Sequence, residues 1–264
     1  MNYIYGMLMS WGMFTVIPCP YRGWKEEARG HMLVCLPIVG AIIGAIWFGV
    51  FAITGFLPIY LRAVLITIVP WFLTGFMHLD GFMDVCDAVM SRRDLETRQK
   101  ILKDSRVGAF AVICIGILML AQFAGVLSLL QMEGNTEGFC QSLNMAIRSK
   151  AIALILIPVA SRISAAFAVM NMKPMHTSQY SNLEKKSQYN IVITLLLLVM
   201  AAVVGILTVF SGISISITVS LLATIVVYWI CALYGNKMLG GMNGDISGYA
   251  LTLGELAGII GLIL

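Results

Sequence analysis

Long apolar runs alternate with short polar stretches along the whole chain, and the lengths of the runs set the architecture. Met32–Leu61 carries no charge. A membrane-crossing helix needs ~20 apolar residues, so this run predicts one crossing followed by a turn near Gly55–Pro58. Ala63–Met77 is a second apolar run, and Val107–Leu130 is a clean uncharged span. Ala151–Met172 is another, interrupted only by Ser161-Arg162. Ile191–Gly235 has no charged residue and is long enough for two crossings, with a turn near Ser211–Ser214. Tyr249–Leu264, apolar except for Glu255, predicts a last short span. Met1–Tyr21 is apolar but broken by Gly6, Gly12, Pro18 and Pro20; it reads as an interfacial or bundle-packed segment rather than a crossing. The pattern predicts an all-α, polytopic integral membrane bundle of about seven transmembrane helices, one catalytic domain spanning 1–264.

Composition agrees. Of 264 residues, 59% are hydrophobic and 11% charged, against ~25% charged in a soluble domain. The net charge of +4 informs topology and gives no sign of nucleic-acid binding. Threading the spans alternately brings the loops at 22–31, 78–106, 173–190 and 236–248 to one side. These loops hold most of the 17 Lys and Arg residues, with Arg148 and Lys150 as exceptions, so the positive-inside rule turns that side to the cytoplasm of a cell membrane. Gly40 and Gly44 form a small-xxx-small motif suited to close helix packing. The six cysteines form no C-x-x-C pair, which argues against a zinc knuckle or a dithiol redox motif. The first 21 residues have no charged side chain, which argues against a cleaved signal peptide.

The chemistry concentrates in residues 74–106. Read as a helix, Asp80, Asp84 and Asp87 stand at i, i+4 and i+7 and fall within a ~60° arc of one face. Two carboxylates ~6 Å apart repel by ~3 kcal/mol at an effective dielectric of ~20. Such groups either take up protons or hold a cation. Mg²⁺ suits them, because it typically binds one or two carboxylates together with substrate phosphates. The alternative is a solvated acidic loop face, but acidic groups bracketed by apolar sequence at membrane depth are functional by default.

Downstream lie Lys103, Asp104, Ser105 and Arg106, then Gly108. Arginine matches phosphate oxygens in a fork and lysine offers a mobile point charge; Asp104 is placed to complete a metal shell, and Gly108 lets the backbone approach. Arg92, Arg93, Arg98 and Lys100 fit an ordinary positive flank equally well. Arg162, roughly midway along a span, costs ~3 kcal/mol on insertion scales. It calls for a partner, either a ligand phosphate or a carboxylate such as Glu255. The loop Gly240–Gly248 offers backbone N–H groups for phosphate, and Asn243 and Asp245 for a metal, base or sugar edge; the alternative is a plain reverse turn. His78, if already helical, points ~160° away from Asp80 and is either a structural histidine or a base.

Together these motifs resemble the cobalamin synthase family, the adenosylcobinamide-GDP ribazoletransferases. The match rests on Thr74-Gly75, His78-Leu79-Asp80-Gly81-Phe82-Met83-Asp84, Asp87-Ala88 and Lys103-Asp104-Ser105-Arg106-Val107-Gly108. Leu36-Pro37-Ile38-Val39-Gly40, Ser161-Arg162, Gly240-Gly241, Gly244-Asp245 and Leu253-Gly254-Glu255-Leu256 follow in order, so the likeness covers essentially the whole chain. It implies a Mg²⁺-dependent membrane enzyme of cobalamin biosynthesis that joins adenosylcobinamide-GDP to α-ribazole or α-ribazole 5′-phosphate and releases GMP. On that resemblance Asp80, Asp84 and Asp87 hold the metal with help from Asp104. Lys103, Ser105, Arg106 and Arg162 bind phosphates, Asn243 and Asp245 contact substrate, and one aspartate or His78 takes the hydroxyl proton. A homo-oligomer or contacts with other enzymes of the pathway stay open. The rival readings are a CDP-alcohol phosphotransferase, whose longer aspartate pattern does not fit, a prenyltransferase, whose second acidic motif is missing, and a cation transporter, whose carboxylates belong nearer mid-span.

Overall fold

The computed structural model describes residues 2–21, 23–134, 149–175 and 215–264, with 141, 144, 146, 189 and 191–195 between them. Among the described residues there are nine α-helices: α1 (Asn2–Phe14), α2 (Arg29–Ile53), α3 (Ile59–Leu73), α4 (Met77–Met90), α5 (Leu95–Ile101), α6 (Ala109–Glu133), α7 (Ala153–Asn171), α8 (Ile215–Leu239) and α9 (Gly244–Ile263). Five stretches, built on α2, α6, α7, α8 and α9, are long and apolar enough to cross a membrane, and a sixth if α3 and α4 form one broken span. The additional crossing expected within Ile191–Gly235, and its turn near Ser211–Ser214, lie largely outside the described residues, as do Arg148, Lys185 and Lys186. Helix α1, of 13 residues, is too short to span; it packs on α2, where a Cβ on Gly6 would come within 2.7 Å of the His31 backbone.

The glycine pair at 40 and 44 does what its spacing predicts. It lies where α2 crosses α7: a Cβ on Gly40 would meet the Pro158 carbonyl oxygen at 2.5 Å, and one on Gly44 would collide with the Ile155 carbonyl. Small residues at such crossings let two backbones gain dispersion contacts that lipid tails cannot supply. Trp47 is fully buried and donates its indole N–H to the Ile66 carbonyl at 2.7 Å, fastening α2 to α3.

The expected meeting of loops at one end is also seen. The Met242 N–H donates to Lys173 O (2.7 Å) and the Met175 N–H to Met242 O (2.9 Å), joining the chain after α7 to the α8–α9 connection. Gln99 of α5 donates to Leu239 O at 2.8 Å, tying the basic segment to the end of α8. At the opposite end Arg62 donates to Phe51 O and Gly134 O, and the Lys150 N–H donates to Glu133. The stretch 78–106, whose aspartates are predicted on one helical face, is built of two helices, α4 and α5, joined by a short turn and followed by the basic loop.

Arg162 finds its partner inside the bundle. It is 1% exposed and pairs with Glu255 of α9, whose Oε1 also accepts from Ser161 Oγ at 2.9 Å. Of the two expectations for this arginine, the carboxylate prevails over the phosphate. A guanidinium this deeply buried is neutralised by the nearest helix, because leaving it unpaired costs several kcal/mol.

Candidate active site

The acidic helix owes its position to a sharp bend. Helix α3 ends in a Schellman motif: Gly75 adopts φ +60°, its N–H donates to Phe72 O, and the Phe76 N–H donates to Trp71 O. Gly75 supplies the left-handed conformation at no steric cost; Phe76 follows it at φ +60° as a non-glycine residue, a conformation that costs of order 1–3 kcal/mol. The result turns α4 by 87° from α3. The acidic helix then packs along the first turns of α6 and α9, with Asp87 against Gly108 and Ala111 and Gly81 against Asp245, which brings its carboxylates to the start of both helices.

Asp80, Asp84 and Asp87 line one cleft of about 250 Å³ with Lys103, Asp104, Ser105 and Arg106. The predicted face of α4 and the predicted basic loop thus form opposite walls of the same space. Asp80 is exposed and Asp84 half-buried. Neither side chain takes a hydrogen bond or ion pair among the described residues.

Asp87 differs from its two neighbours. Its Oδ2 accepts from the Gly108 N–H at 2.6 Å and its Oδ1 from the Ala111 N–H at 2.9 Å. It satisfies the otherwise orphaned donors at the start of α6 and pins that helix to α4. Asp87 thus positions α6 directly, and each of its oxygens keeps a further lone pair for a cation. The approach is possible only because residue 108 has no side chain: a Cβ there would sit 2.5 Å from Asp87 Oδ1. Gly108→Ala is expected to push α6 off this carboxylate and lower turnover by roughly 10²-fold, the cost of an ~1 Å misplacement at a reacting centre. Initial rates of the purified variant, compared at equal amounts of inserted protein, test this.

Asp104 and Arg106 form an exposed pair, Arg106 donating through Nε (3.0 Å) and Nη2 (2.7 Å) and through its backbone N–H (3.1 Å). The guanidinium side-chain bonds, then the backbone bond, hold the Asp104 carboxyl down at about 2. Asp104 is therefore an arginine-orienting group before it is a metal ligand. An exposed ion pair is weak, so a ligand phosphate can draw Arg106 away. Lys103 and Ser105 are exposed on the same wall, and Lys103 has no ion pair among the described residues.

Asp245, at the start of α9, joins this acidic group. Asp84 lies in the electrostatic field of Asp80, Asp245 and Asp87 together, and Asp80 acts on Asp245 as well. The crossing that brings them together runs through Gly81, where a Cβ would meet Asp245 Cα at 2.9 Å, and Gly248, where one would meet His78 Cα at 3.2 Å. The sequence held one signal of this: a glycine beside an aspartate inside a helix, costly there unless something packs closely.

Asn243 is the N-cap of α9, its Oδ1 accepting from the Ile246 N–H while its Nδ2 donates to Asp245 Oδ2 at 2.7 Å; these bonds orient Asp245. In the glycine loop the Gly240 and Gly241 N–H groups both donate to Asn236 O, which takes these two donors out of a phosphate cradle. His78 is not in the carboxylate cleft but lines a second cavity with Asp245, as its angle from Asp80 along the helix implies. The proton-accepting role expected for it loses its geometry.

No three of the described His, Cys, Asp and Glu residues converge closely enough to hold a metal unaided. The donors available, Asp80, Asp84 and Asp245, are all oxygen ligands, with Asp80 and Asp84 free of protein partners. That set fits a hard cation such as Mg²⁺, which completes its octahedron with water and substrate phosphate rather than requiring a full protein cage.

An acidic helix and a Lys-Asp-Ser-Arg loop share one cleft, a lining suited to phosphate groups and a hard cation, and comparison with known proteins narrows it. The family model described as cobalamin-5-phosphate synthase matches residues 6–263. A Clostridium perfringens adenosylcobinamide-GDP ribazoletransferase is 40% identical over 254 residues, 96% of this chain and 94% of the relative. The Clostridium botulinum protein of that name is 35% identical over 263 residues, covering 98% and 96%. One from Lachnoclostridium phytofermentans is 26% identical over 260 residues, covering 97% and 92%. No solved structure matches. With its motifs in order over nearly its full length, the chain belongs to the cobalamin-5-phosphate synthase family.

Proposed function

We propose that this protein transfers the adenosylcobinamide phosphate of adenosylcobinamide-GDP to α-ribazole or α-ribazole 5′-phosphate, giving adenosylcobalamin or its 5′-phosphate and releasing GMP. One observation carries the reading: unpartnered Asp80 and Asp84 share a cleft with Lys103, Ser105 and Arg106. The oxygen atom of a ribose hydroxyl attacks the phosphorus next to the corrinoid, and the bond from that phosphorus to the oxygen of GMP breaks. Positioning and charge stabilisation dominate such a reaction. Lys103 and Arg106 take the phosphate oxygens, with Arg106 leaving Asp104 as it does so. Asp80, the exposed carboxylate, takes the hydroxyl proton on its free oxygen. Asp84 and Asp245, with Asp80, would hold a Mg²⁺ ion, which would supply charge neutralisation at the phosphates. Asp87 keeps α6 and the basic loop in register with α4.

The cleft faces the cytoplasm of the plasma membrane on this reading. Its support is the clustering of Lys25, Arg29 and the 92–106 basic segment toward the same end of the bundle as the carboxylates. A cation transporter is disfavoured because the carboxylates sit at the start of α6 and α9 and share a cleft with the basic loop 103–106, away from mid-span. The purified protein in lipid nanodiscs, given adenosylcobinamide-GDP and α-ribazole, is expected to release GMP only when both substrates and Mg²⁺ are present. GMP release that ignores α-ribazole, or none at all, would sink the reading.

A further inference from the structure

We propose that Arg92 and Arg93, at the turn between α4 and α5, bind the phosphate of an anionic lipid headgroup and dock the basic segment on the bilayer surface. The place of α5 in the fold puts it at that depth. Gln99 donates to Leu239 O at 2.8 Å, and Arg98 lies 3.5 Å from Met238 Sδ in the last turn of α8. At Gly240, just beyond that helix, a Cβ would come within 3.3 Å of Leu95. From its other end α5 leads through residues 102–108 into α6. Both α8 and α6 are 25 residues long and apolar enough to cross a membrane, so α5 sits where two spans meet the headgroup layer. No residue of α5 is buried. Met90 and Leu95 are 49% and 43% exposed, and Val107 and Phe110, where α6 starts, are 64% and 44% exposed. Apolar side chains interleaved with cations are what an interfacial segment presents to lipid.

The charge balance singles out two of the cations. Residues 92–106 hold six Lys and Arg residues and three carboxylates. All three carboxylates are engaged. Asp94 caps α5 by accepting from the Thr97 N–H and hydroxyl, Glu96 pairs with Lys100 at 2.7 Å, and Asp104 pairs with Arg106. Arg92 and Arg93 are exposed, and among the described residues their side chains have neither an ion pair nor a hydrogen bond. Lys103 is also unpaired but lines the phosphate cleft, which Arg92 and Arg93 do not. Arg92 adopts φ +52°, a left-handed conformation that costs free energy in a non-glycine residue and that clusters at functional positions. Guanidinium forks match phosphate oxygens in bidentate geometry, and each cation at an anionic bilayer surface adds about a fivefold preference. A soluble acidic partner would answer the charge but not the exposed Met90 and Leu95 beside it; a lipid answers both. This role stands apart from the transfer reaction proposed above and does not depend on it.

Native mass spectrometry of the full-length protein in detergent, given phosphatidylglycerol and phosphatidylcholine in equal amounts, tests this. The unsubstituted protein is expected to retain phosphatidylglycerol over phosphatidylcholine by roughly tenfold or more, and the Arg92→Gln/Arg93→Gln variant by about twofold or less. Lys103→Gln is expected to keep the full preference. No preference in the unsubstituted protein, an unchanged ratio in the double variant, or a preference lost in Lys103→Gln instead would overturn the assignment. Inorganic phosphate in large excess is expected to leave the lipid bound; displacement by it would show a free-phosphate site in place of a lipid one. Photolabelling of the unsubstituted protein in lipid nanodiscs gives a second readout that does not depend on a variant folding. A phosphatidylglycerol with a photoreactive headgroup is expected to mark residues 90–100. Label found only on other stretches of the chain would overturn the proposal.

Discussion

Asp84→Asn is expected to lower Mg²⁺-dependent GMP release by about three orders of magnitude, ~4 kcal/mol of barrier, while the protein inserts and folds normally. The substitution keeps shape and hydrogen-bonding capacity and removes one negative charge from the centre of the group formed with Asp80 and Asp245. Loss of a cation ligand also raises the Mg²⁺ concentration needed for half-maximal rate, so a Mg²⁺ titration separates a metal role from a general loss of order. Asp80→Asn should behave in the same way. Asp87→Asn should not: the amide keeps one acceptor for Gly108 or Ala111 but presents NH₂ to the other backbone donor, so the start of α6 loosens and both stability and rate fall. Near-normal turnover in Asp84→Asn would remove the metal assignment altogether.

The second large effect lies away from the cleft. Arg162→Met leaves Glu255 charged and buried without its partner, a loss of about 3–5 kcal/mol that should show as a sharp fall in thermal stability in detergent. Arg162→Met combined with Glu255→Leu removes both charges, and replacing a whole buried pair with apolar side chains is often neutral or better. The double variant is therefore expected to regain most of the stability and, with it, most of the turnover. If Arg162 gripped a substrate phosphate, stability would return in the double variant while activity stayed lost. That outcome would reinstate the role expected from the sequence and set aside the structural one.

The residues that bear charge in the cleft are legible in the linear chain because helix geometry is local. Aspartates at 80, 84 and 87 share one face whatever surrounds the helix, and four consecutive residues at 103–106 share one loop. Spans were legible for the same reason: an apolar run of ~20 residues satisfies its backbone only as a helix, and the Gly40/Gly44 spacing marks a close crossing without saying which helix crosses. The break that separates α3 from α4 and turns the acidic helix by 87° was not legible from hydropathy. It depends on the Schellman turn at Gly75, and a turn of a few residues leaves almost no mark in a window average.

What the sequence determined by itself is the class of chemistry: oxygen ligands on one helical face, a basic phosphate-binding loop after it, and enough apolar length to hold both at a membrane. What only the tertiary structure decided is which of these groups is free to act. Asp87 is taken up by the start of α6, Arg162 by Glu255 and Asn243 by the cap of α9, while Asp245 arrives from the far end of the chain through the Gly81–Gly248 crossing. The physical reason is that a polar side chain acts through whatever lies within ~3 Å of it. Arg162 and Glu255, 93 positions apart in the chain, come that close only through the packing of helices.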